Sequence, residues 1–286
     1  MPSLHAEITT CLSPVSDTPA LDASVLLAHI VQKPRTWVLA HPELTLTPKQ
    51  ETQLNESLAR LEHGEPFPYV IGRWEFFDLE FEITPDVLIP RPETELLVEK
   101  AIAWLQKNPM RVNVADIGTG SGAIAVSLAV NVQKIKILAT DISSEALQVA
   151  KQNAEKHSVI DRIEFAECDL LPESKVKGQT SDFRPSTFHL ICANLPYIPT
   201  KTLQRLPIFE REPTVALDGG EDGLKIFRKF MQIIPEWLAP NALILLEIEA
   251  TLGLRVVELA RESFGKAEIN LHQDLTRRDR LLEIQI

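Results

Sequence analysis

The sequence comprises 286 residues, of which 44% are hydrophobic and 24% are charged, a balance that is typical of globular proteins. Its length suits two domains. The 29 basic and 40 acidic residues give a net charge of −11, which argues against a protein that binds duplex nucleic acid through a basic face. No segment resembles a signal peptide or a membrane span, and the three cysteines lack metal-ligand spacing, so we expect a cytoplasmic protein without a metal.

Residues 1–65 are predicted to form a small helical domain, because apolar residues repeat at helical spacing along this segment. Asp22 is placed to cap one of the helices. Thr47 and Pro48 have the residue types that usually begin a helix, and Gly64 stands where such a helix usually ends. We expect the histidines of this segment to have structural roles, since no carboxylate or cysteine is spaced with them as a metal ligand.

Residues 66–92 are predicted to form a β-hairpin linker and a proline-rich loop. The segments 74–77 and 79–83 are rich in aromatic and β-branched residues, and the second alternates apolar and polar positions as a half-buried strand does. Asp78 lies between them and is expected to form the turn.

Residues 93–286 are predicted to form an α/β domain in which strands and helices alternate and the last two strands form an antiparallel pair. Its first helix is expected to begin near Glu95, with Thr94 or Glu93 as its cap. The polar segment 171–187 is expected to be a solvated loop.

A glycine loop and three acidic residues indicate a nucleoside-binding edge in this domain. The loop Gly118-Thr119-Gly120-Ser121-Gly122 connects a predicted strand to a helix, and its missing side chains allow a ligand to approach the backbone. Asp116, Asp141 and Asp169 each stand near the end of a predicted strand. Asp141 follows the glycines by about 20 residues, the spacing at which a carboxylate meets ribose hydroxyls.

The residues leave two kinds of cofactor open. The pattern Gly118-x-Gly120-x-x-Ala123 also fits a dinucleotide-binding loop. A pyrophosphate is anionic, however, whereas S-adenosylmethionine carries a sulfonium and an amino group that tolerate nearby carboxylates. Asp116 and Asp169 therefore favour S-adenosylmethionine.

The most informative stretch is Asn194-Leu195-Pro196-Tyr197, which follows the predicted buried strand 188–192. Ligands bind at the carboxyl edge of open α/β sheets. There Asn194 offers an amide oxygen, Pro196 keeps Leu195 extended so that its carbonyl is free, and Tyr197 can cover a planar group. The stretch suits a planar NH2 group, while a strand followed by an ordinary proline turn is the alternative.

Two later features also bear on the site. The glycine-rich segment 218–223 is expected to form a tight loop that closes over it, with Asp222 as a turn former. Glu247 ends an otherwise apolar strand, and a carboxylate in such a buried position requires a partner.

With these residues in view, the sequence resembles the PrmC (HemK) family, the glutamine N5-methyltransferases of peptide chain release factors. The likeness runs nearly end to end, and its segments are Asp22–Ala23, Leu26–Leu27, Gly64–Phe76, Leu88–Glu95, Asp116–Gly122 and Asp218–Gly223. The combination of the loop Pro90–Glu95 with the stretch Asn194–Tyr197 is highly specific. It implies a Rossmann-like, seven-stranded class I methyltransferase domain that follows a helical domain. Leu195 departs from the family's usual Asn-Pro-Pro-Tyr, and Glu249 departs from its usual Glu-Ile-Gly.

The resemblance implies methyl transfer from S-adenosylmethionine to a glutamine of a Gly-Gly-Gln motif in class 1 release factors, which the helical domain would bind. The implied catalytic residues are Asn194, Leu195, Pro196 and Tyr197. The implied cofactor-binding residues are Asp116, Gly118, Thr119, Gly120, Ser121, Gly122, Asp141, Asp169, Leu170 and Asn194. Among these, Asp141 would bind the ribose, Asp169 and Leu170 would border the adenine, and Asp116 would face the amino group or support the loop. Arg91 and Glu93 would cap the cofactor or position the linker.

Other functions remain to be weighed. An adenine-N6 methyltransferase of DNA or RNA acts on an NH2 group of the same shape, but the acidic balance argues against it. A methyltransferase of a ribosomal-protein glutamine is a closer alternative. A nicotinamide-dependent oxidoreductase fits the glycine loop but leaves the Asn194–Tyr197 stretch unexplained. A non-catalytic binding module fits only if the cofactor fails to bind. We expect a monomer that binds neither a membrane nor nucleic acid.

Overall fold

The structure, a computed structural model, describes residues 3–172 and 187–286, so most of the predicted loop 171–187 lies outside the described residues. By packing, the chain divides after Arg73 into two units, which we describe separately. Within the described ranges, no helix is both long enough and apolar enough to cross a membrane.

The first unit is helical. Its helices are α1 Leu4–Leu12, α2 Pro19–Val31, α3 Arg35–Ala40, α4 Pro48–Glu62 and α5 Phe67–Ile71. They enclose a core that includes the fully buried Leu26 and Leu27. Helix α4 begins as predicted, because the Thr47 and Gln50 side chains form reciprocal capping bonds. The prediction that Asp22 caps a helix is wrong. Helix α2 begins earlier, at Pro19, a residue type suited to the first helical position. Asp22 instead accepts a hydrogen bond from the Ser16 hydroxyl at 2.6 Å.

Two short strands follow, β1 Arg73–Phe76 and β2 Leu79–Glu82, and they form a two-stranded sheet. Phe77 and Asp78 connect them with φ angles of 50° and 57°. Two successive residues with positive φ give the two-residue turn that matches the twist of a hairpin, so the predicted hairpin is confirmed.

The second unit contains a seven-stranded sheet with the order β5-β4-β3-β6-β7-β9-β8. Its strands are β3 Asn113–Ile117, β4 Lys136–Asp141, β5 Ile163–Glu167, β6 Phe188–Asn194, β7 Leu238–Glu247, β8 Glu268–Gln273 and β9 Asp279–Gln285. Its helices are α6 Glu95–Lys107, α7 Ala123–Asn131, α8 Ser144–Lys156, α9 Thr200–Leu203, α10 Lys225–Ile233 and α11 Gly253–Ser263. Strands β3 to β7 pair in parallel, and β9 pairs antiparallel with both β7 and β8. The predicted seven-stranded, Rossmann-like architecture is confirmed.

The central strands are apolar along their length because the sheet buries both faces of parallel strands. In β6, residues Leu190 to Ala193 are fully buried, and in β7 the run Leu243 to Leu246 is almost completely buried. Cys192 lies in this core and packs as a small hydrophobic residue. Since these strands are parallel, their carboxyl ends meet at one edge of the sheet, where the predicted site residues lie.

Candidate active site at the carboxyl edge of the sheet

The site lies where the strand order reverses. Strand β3 has β4 on one side and β6 on the other, and such a switch point opens a crevice at the carboxyl ends of the strands. The glycine loop leaves β3 there, and Asn194 ends β6. A Cβ atom placed on Gly118 would lie 3.8 Å from the Asn194 carbonyl oxygen. The structure therefore brings together the two segments that the sequence analysis selected.

The glycine loop is held open and rigid. The Gly118 and Thr119 amides both donate to the Thr140 carbonyl of β4, at 2.9 and 2.8 Å. Gly120 has a φ of +54°, and a Cβ atom added to it would meet no atom of the described residues within 4 Å. Glycine adopts this backbone conformation readily and leaves free space in front of it. A ligand can therefore approach the backbone closely at this position.

Asp116 supports this loop from within the core, where it is fully buried. Its Oδ2 accepts hydrogen bonds from the Thr119 hydroxyl at 2.6 Å and from the Ala125 amide at 3.0 Å. Its Oδ1 has no hydrogen-bond partner among the described residues. Burial raises the pKa of Asp116 to about 7, the nearby charge of Asp141 adds to this rise, and the two hydrogen bonds oppose it. An unpaired buried carboxylate oxygen is suited to a cationic ligand group.

Asp141 ends β4 and also holds the loop. Its two oxygens accept the backbone amides of Gly120 and Ser143, at 2.9 and 3.0 Å. Burial raises the pKa of Asp141, and these hydrogen bonds oppose the rise. The carboxylate is therefore fixed beside the glycines, in the place that the sequence spacing predicts.

Asp169 and Leu170 follow β5 at the same edge. Asp169 is half exposed and forms an ion pair with Lys229, a partner 60 residues away that no local pattern indicated. Leu170 has a positive φ of 73°, and its carbonyl accepts the Thr140 hydroxyl at 2.6 Å. The same residue of β4 thus anchors both the glycine loop and the segment after β5.

Three side chains beneath Asn194 form a hydrogen-bond chain. Asn194 Nδ2 donates to Thr94 Oγ1 at 3.2 Å, and the Thr94 hydroxyl donates to Glu247 Oε2 at 2.5 Å. The Tyr197 hydroxyl donates to the other oxygen of Glu247 at 3.3 Å. The buried Glu247 therefore has the partners that its position requires. Thr94 occupies the N-cap position of α6, which begins at Glu95 as predicted. Its hydroxyl bonds to Glu247, however, and makes no capping bond to the described residues of the helix.

A cavity of about 130 Å³ adjoins this chain. It is lined by Leu88, Arg91, Asn194, Tyr197, Ile198, Ile208, Ala216 and Leu217. Sequence analysis missed the residue that fixes one wall: the buried Glu212 binds Arg91 Nη2 at 2.5 Å and the Ile89 amide at 3.3 Å. Glu212 lies 121 residues from Arg91, and no motif marks it.

The glycine-rich segment 218–223 packs on the backbone that follows Asn194. Gly219 donates to the Ile198 carbonyl at 2.9 Å, and Ile198 donates to the Leu217 carbonyl at 3.0 Å. A Cβ atom on Gly219 or Gly223 would lie 2.8 or 2.4 Å from backbone atoms of Tyr197. The segment therefore holds the Asn194–Tyr197 stretch in place. Asp222 points elsewhere and binds Arg228 and Arg255, which agrees with its predicted structural role.

The sheet order and the site at its switch point define the class of protein, a Rossmann-like methyltransferase. The methyltransferase domain family matches residues 110–248, and the PrmC N-terminal domain family matches residues 3–72.

Among curated relatives, the release factor glutamine methyltransferase of Coxiella burnetii is 36% identical, over 96% of this chain and 95% of that protein. Proteins of the same name from Moorella thermoacetica and Bacillus anthracis are 38% and 34% identical, each over 92% of this chain and over 90% and 91% of their own lengths. The chain belongs to the release factor glutamine methyltransferase family.

Proposed function

We propose that this protein methylates the N5 amide nitrogen of the glutamine in the Gly-Gly-Gln motif of class 1 release factors, with S-adenosylmethionine as the methyl donor. The names of its relatives support this substrate. The observation that carries the proposal at atomic level is the position of Asn194, which lines a cavity and lies directly beside the glycine loop.

On the acceptor side, the difficulty is that an amide nitrogen has a delocalised lone pair and is a poor nucleophile. Asn194 Oδ1 and the Leu195 carbonyl would each accept one hydrogen of the substrate NH2 group. Two fixed acceptors orient the nitrogen, and they stabilise the positive charge that develops on it during transfer. Pro196 keeps Leu195 extended, and Tyr197 forms a wall of the cavity.

The residues present fit S-adenosylmethionine, which when bound supplies an electrophilic methyl group. The unpaired Asp116 Oδ1 suits its amino group, and the open space at Gly120 admits its methionine part. Asp141 would bind the ribose hydroxyls, and Asp169 with Leu170 would border the adenine. The remaining residues proposed to line the donor site are Gly118, Thr119, Ser121, Gly122 and Asn194.

The helical domain 1–65 would recognise the release factor, the linker 66–92 would connect the domains, and residues 93–286 would carry out the transfer, all in the cytoplasm. A core that accepts an amide cannot by itself choose among the exposed glutamines of many proteins. Deletion of the helical domain is therefore expected to weaken release factor binding more than donor binding.

The test is incubation of the protein with a class 1 release factor and labelled S-adenosylmethionine, followed by mass spectrometry of the Gly-Gly-Gln peptide. We expect one methyl group on the glutamine, and none on an adenine-containing oligonucleotide supplied in parallel. Asn194→Ala should abolish transfer and leave donor binding nearly intact, because the other residues proposed to line the donor site remain. Asn131→Ala is the matched control, since the Asn131 side chain donates to the Ser127 carbonyl within α7. Label on the oligonucleotide, or transfer by Asn194→Ala, would contradict the proposal.

A further inference from the structure

The side chain of Asn194 can fulfil its proposed task only if its amide oxygen, and not its NH2 group, faces the substrate. The two ends of the amide have the same shape and differ only in hydrogen bonding. The protein must therefore contain an element that distinguishes them.

We propose that Thr94 and Glu247 are positioning residues that turn the Asn194 amide so that its oxygen faces the substrate nitrogen. This inference rests on the proposed function, because it concerns the group that accepts the glutamine amide. The inference adds two residues to the proposed acceptor site. Thr94 lies directly before α6, and Glu247 lies at the end of β7.

The directions of the hydrogen bonds carry the argument. A carboxylate is an acceptor only, so the Thr94 hydroxyl must direct its single hydrogen to Glu247 Oε2, 2.5 Å away. The oxygen of Thr94 can then only accept from Asn194, and the atom at 3.2 Å must be the donor Nδ2. Oδ1 consequently points away from Thr94.

Burial prevents water from replacing this arrangement. Glu247 is 2% exposed and Thr94 is 5% exposed, so an unsatisfied polar atom there would be costly. Asn194 and Glu247 are register partners in adjacent strands, which fixes the separation of their backbones. Tyr197 supplies the second hydrogen bond to Glu247, and burial together with that carboxylate raises the pKa of Tyr197, so its hydroxyl remains a donor.

The arrangement depends on ionised Glu247. Burial raises the pKa of Glu247 to about 7; the charge of Glu93 adds to the rise, while hydrogen bonds from Thr94 and Tyr197 and the charge of Arg280 oppose it. Protonated Glu247 can donate to Thr94, which then donates to Asn194 and selects the opposite amide orientation. Lowering the pH through about 7 should therefore turn the amide and slow methyl transfer.

The decisive experiment compares Thr94→Val and Thr94→Ser in single-turnover methyl transfer to a release factor. Val has the shape of Thr without the hydroxyl, and we expect the rate to fall about 10- to 100-fold, as for loss of one aligned hydrogen bond in a transition state. Ser retains the hydroxyl and should restore the rate to within about threefold of wild type, since it keeps the hydrogen bond. Donor affinity should be unchanged in both. Ser127→Ala, which removes another buried hydroxyl, is the matched control.

A second measurement uses the protein alone. In protein labelled with ¹⁵N-asparagine, the side-chain NH2 signal of Asn194, assigned with Asn194→Ala, should exchange slowly with solvent and shift as Glu247 titrates. Thr94→Val should remove the protection, and Glu247→Gln should remove the titration. Wild-type rates in Thr94→Val, an equal loss in Thr94→Ser, or an unprotected Asn194 amide would overturn the inference. A wild-type protein that fails to methylate release factors but shows this protected amide would refute the proposed function alone.

Discussion

Replacement of Gly223 by alanine should slow methyl transfer strongly and preserve binding of the methyl donor. The added Cβ atom would lie 2.4 Å from the Tyr197 carbonyl oxygen, so the two segments must separate by about 1 Å to reach ordinary contact distance. A displacement of about 1 Å in groups that position a substrate lowers rates about 100-fold. We therefore expect a loss of this size in single-turnover transfer.

Alanine variants of two further glycines separate the two causes of destabilisation, steric overlap and backbone strain. Gly219 has no positive φ, but a Cβ atom added to it would lie 2.8 Å from the Tyr197 backbone. Gly72 has a φ of +71°, and a Cβ atom added there would meet no atom within 4 Å in the part of the chain that the structure describes. Alanine at Gly219 should cost about 1–3 kcal/mol of unfolding free energy through overlap, and alanine at Gly72 about 1–2 kcal/mol through backbone strain. Gly223 combines both, so its variant should lose about 2–5 kcal/mol in urea denaturation.

The assay is methyl transfer measured per folded molecule, together with calorimetric titration of the donor. If Gly223→Ala transfers methyl groups within about twofold of wild type, the segment 218–223 does not position the Asn194–Tyr197 stretch, and the reasoning from a displacement of about 1 Å is refuted. Loss of donor binding in the same variant would also refute it, because the cofactor-binding loop would then be disturbed as well.

The remaining predictions concern three carboxylates. Asp141→Ala should weaken donor binding about 10- to 100-fold, the range for lost hydrogen bonds to a charged group; unchanged affinity in calorimetric titration would contradict the ribose role. Glu212→Ala leaves Arg91 without its buried partner and should lower the unfolding free energy by about 3 kcal/mol in urea denaturation; an unchanged midpoint and slope would show that the ion pair contributes nothing. The pKa of Asp116 is raised to about 7 from 3.8, so its ionisation disfavours the folded state, and stability should fall as the pH rises from about 4 to 7. Asp116→Asn should lack that part of the fall, about 4 kcal/mol, in denaturation curves measured across this range; identical slopes for variant and wild type would contradict it.

Local sequence patterns were sufficient for the parts of the site that lie within one element. A strand that ends in an acid or an amide, followed by a glycine or proline loop, carries its own signal, and the parallel sheet then brings these ends to one edge. This is why Asp141, the glycine loop and Asn194 could be placed in one site before the fold was known.

The contacts that support these residues could not be predicted in the same way. Thr94 and Asn194 are 100 residues apart, and Thr94 and Glu247 are 153 apart. The sequence marked Glu247 as a buried carboxylate that needs a partner, but only the tertiary fold selects that partner. Thr94 was interpreted as a helix cap because local propensity favours that role, and the buried carboxylate competes successfully for its hydroxyl.

Asn194 and Glu247 occupy matching positions in neighbouring parallel strands. Their spacing is thus inherited from the hydrogen-bond ladder at the middle of the sheet. A shift of either strand by a single residue would turn all of its side chains to the opposite face of the sheet. Mutations therefore cannot change the separation of Asn194 and Glu247 in small steps. Related enzymes that accept a different amide must therefore differ in the surrounding loops. The spacing of the strand-end pair Asn194 and Glu247 stays the same.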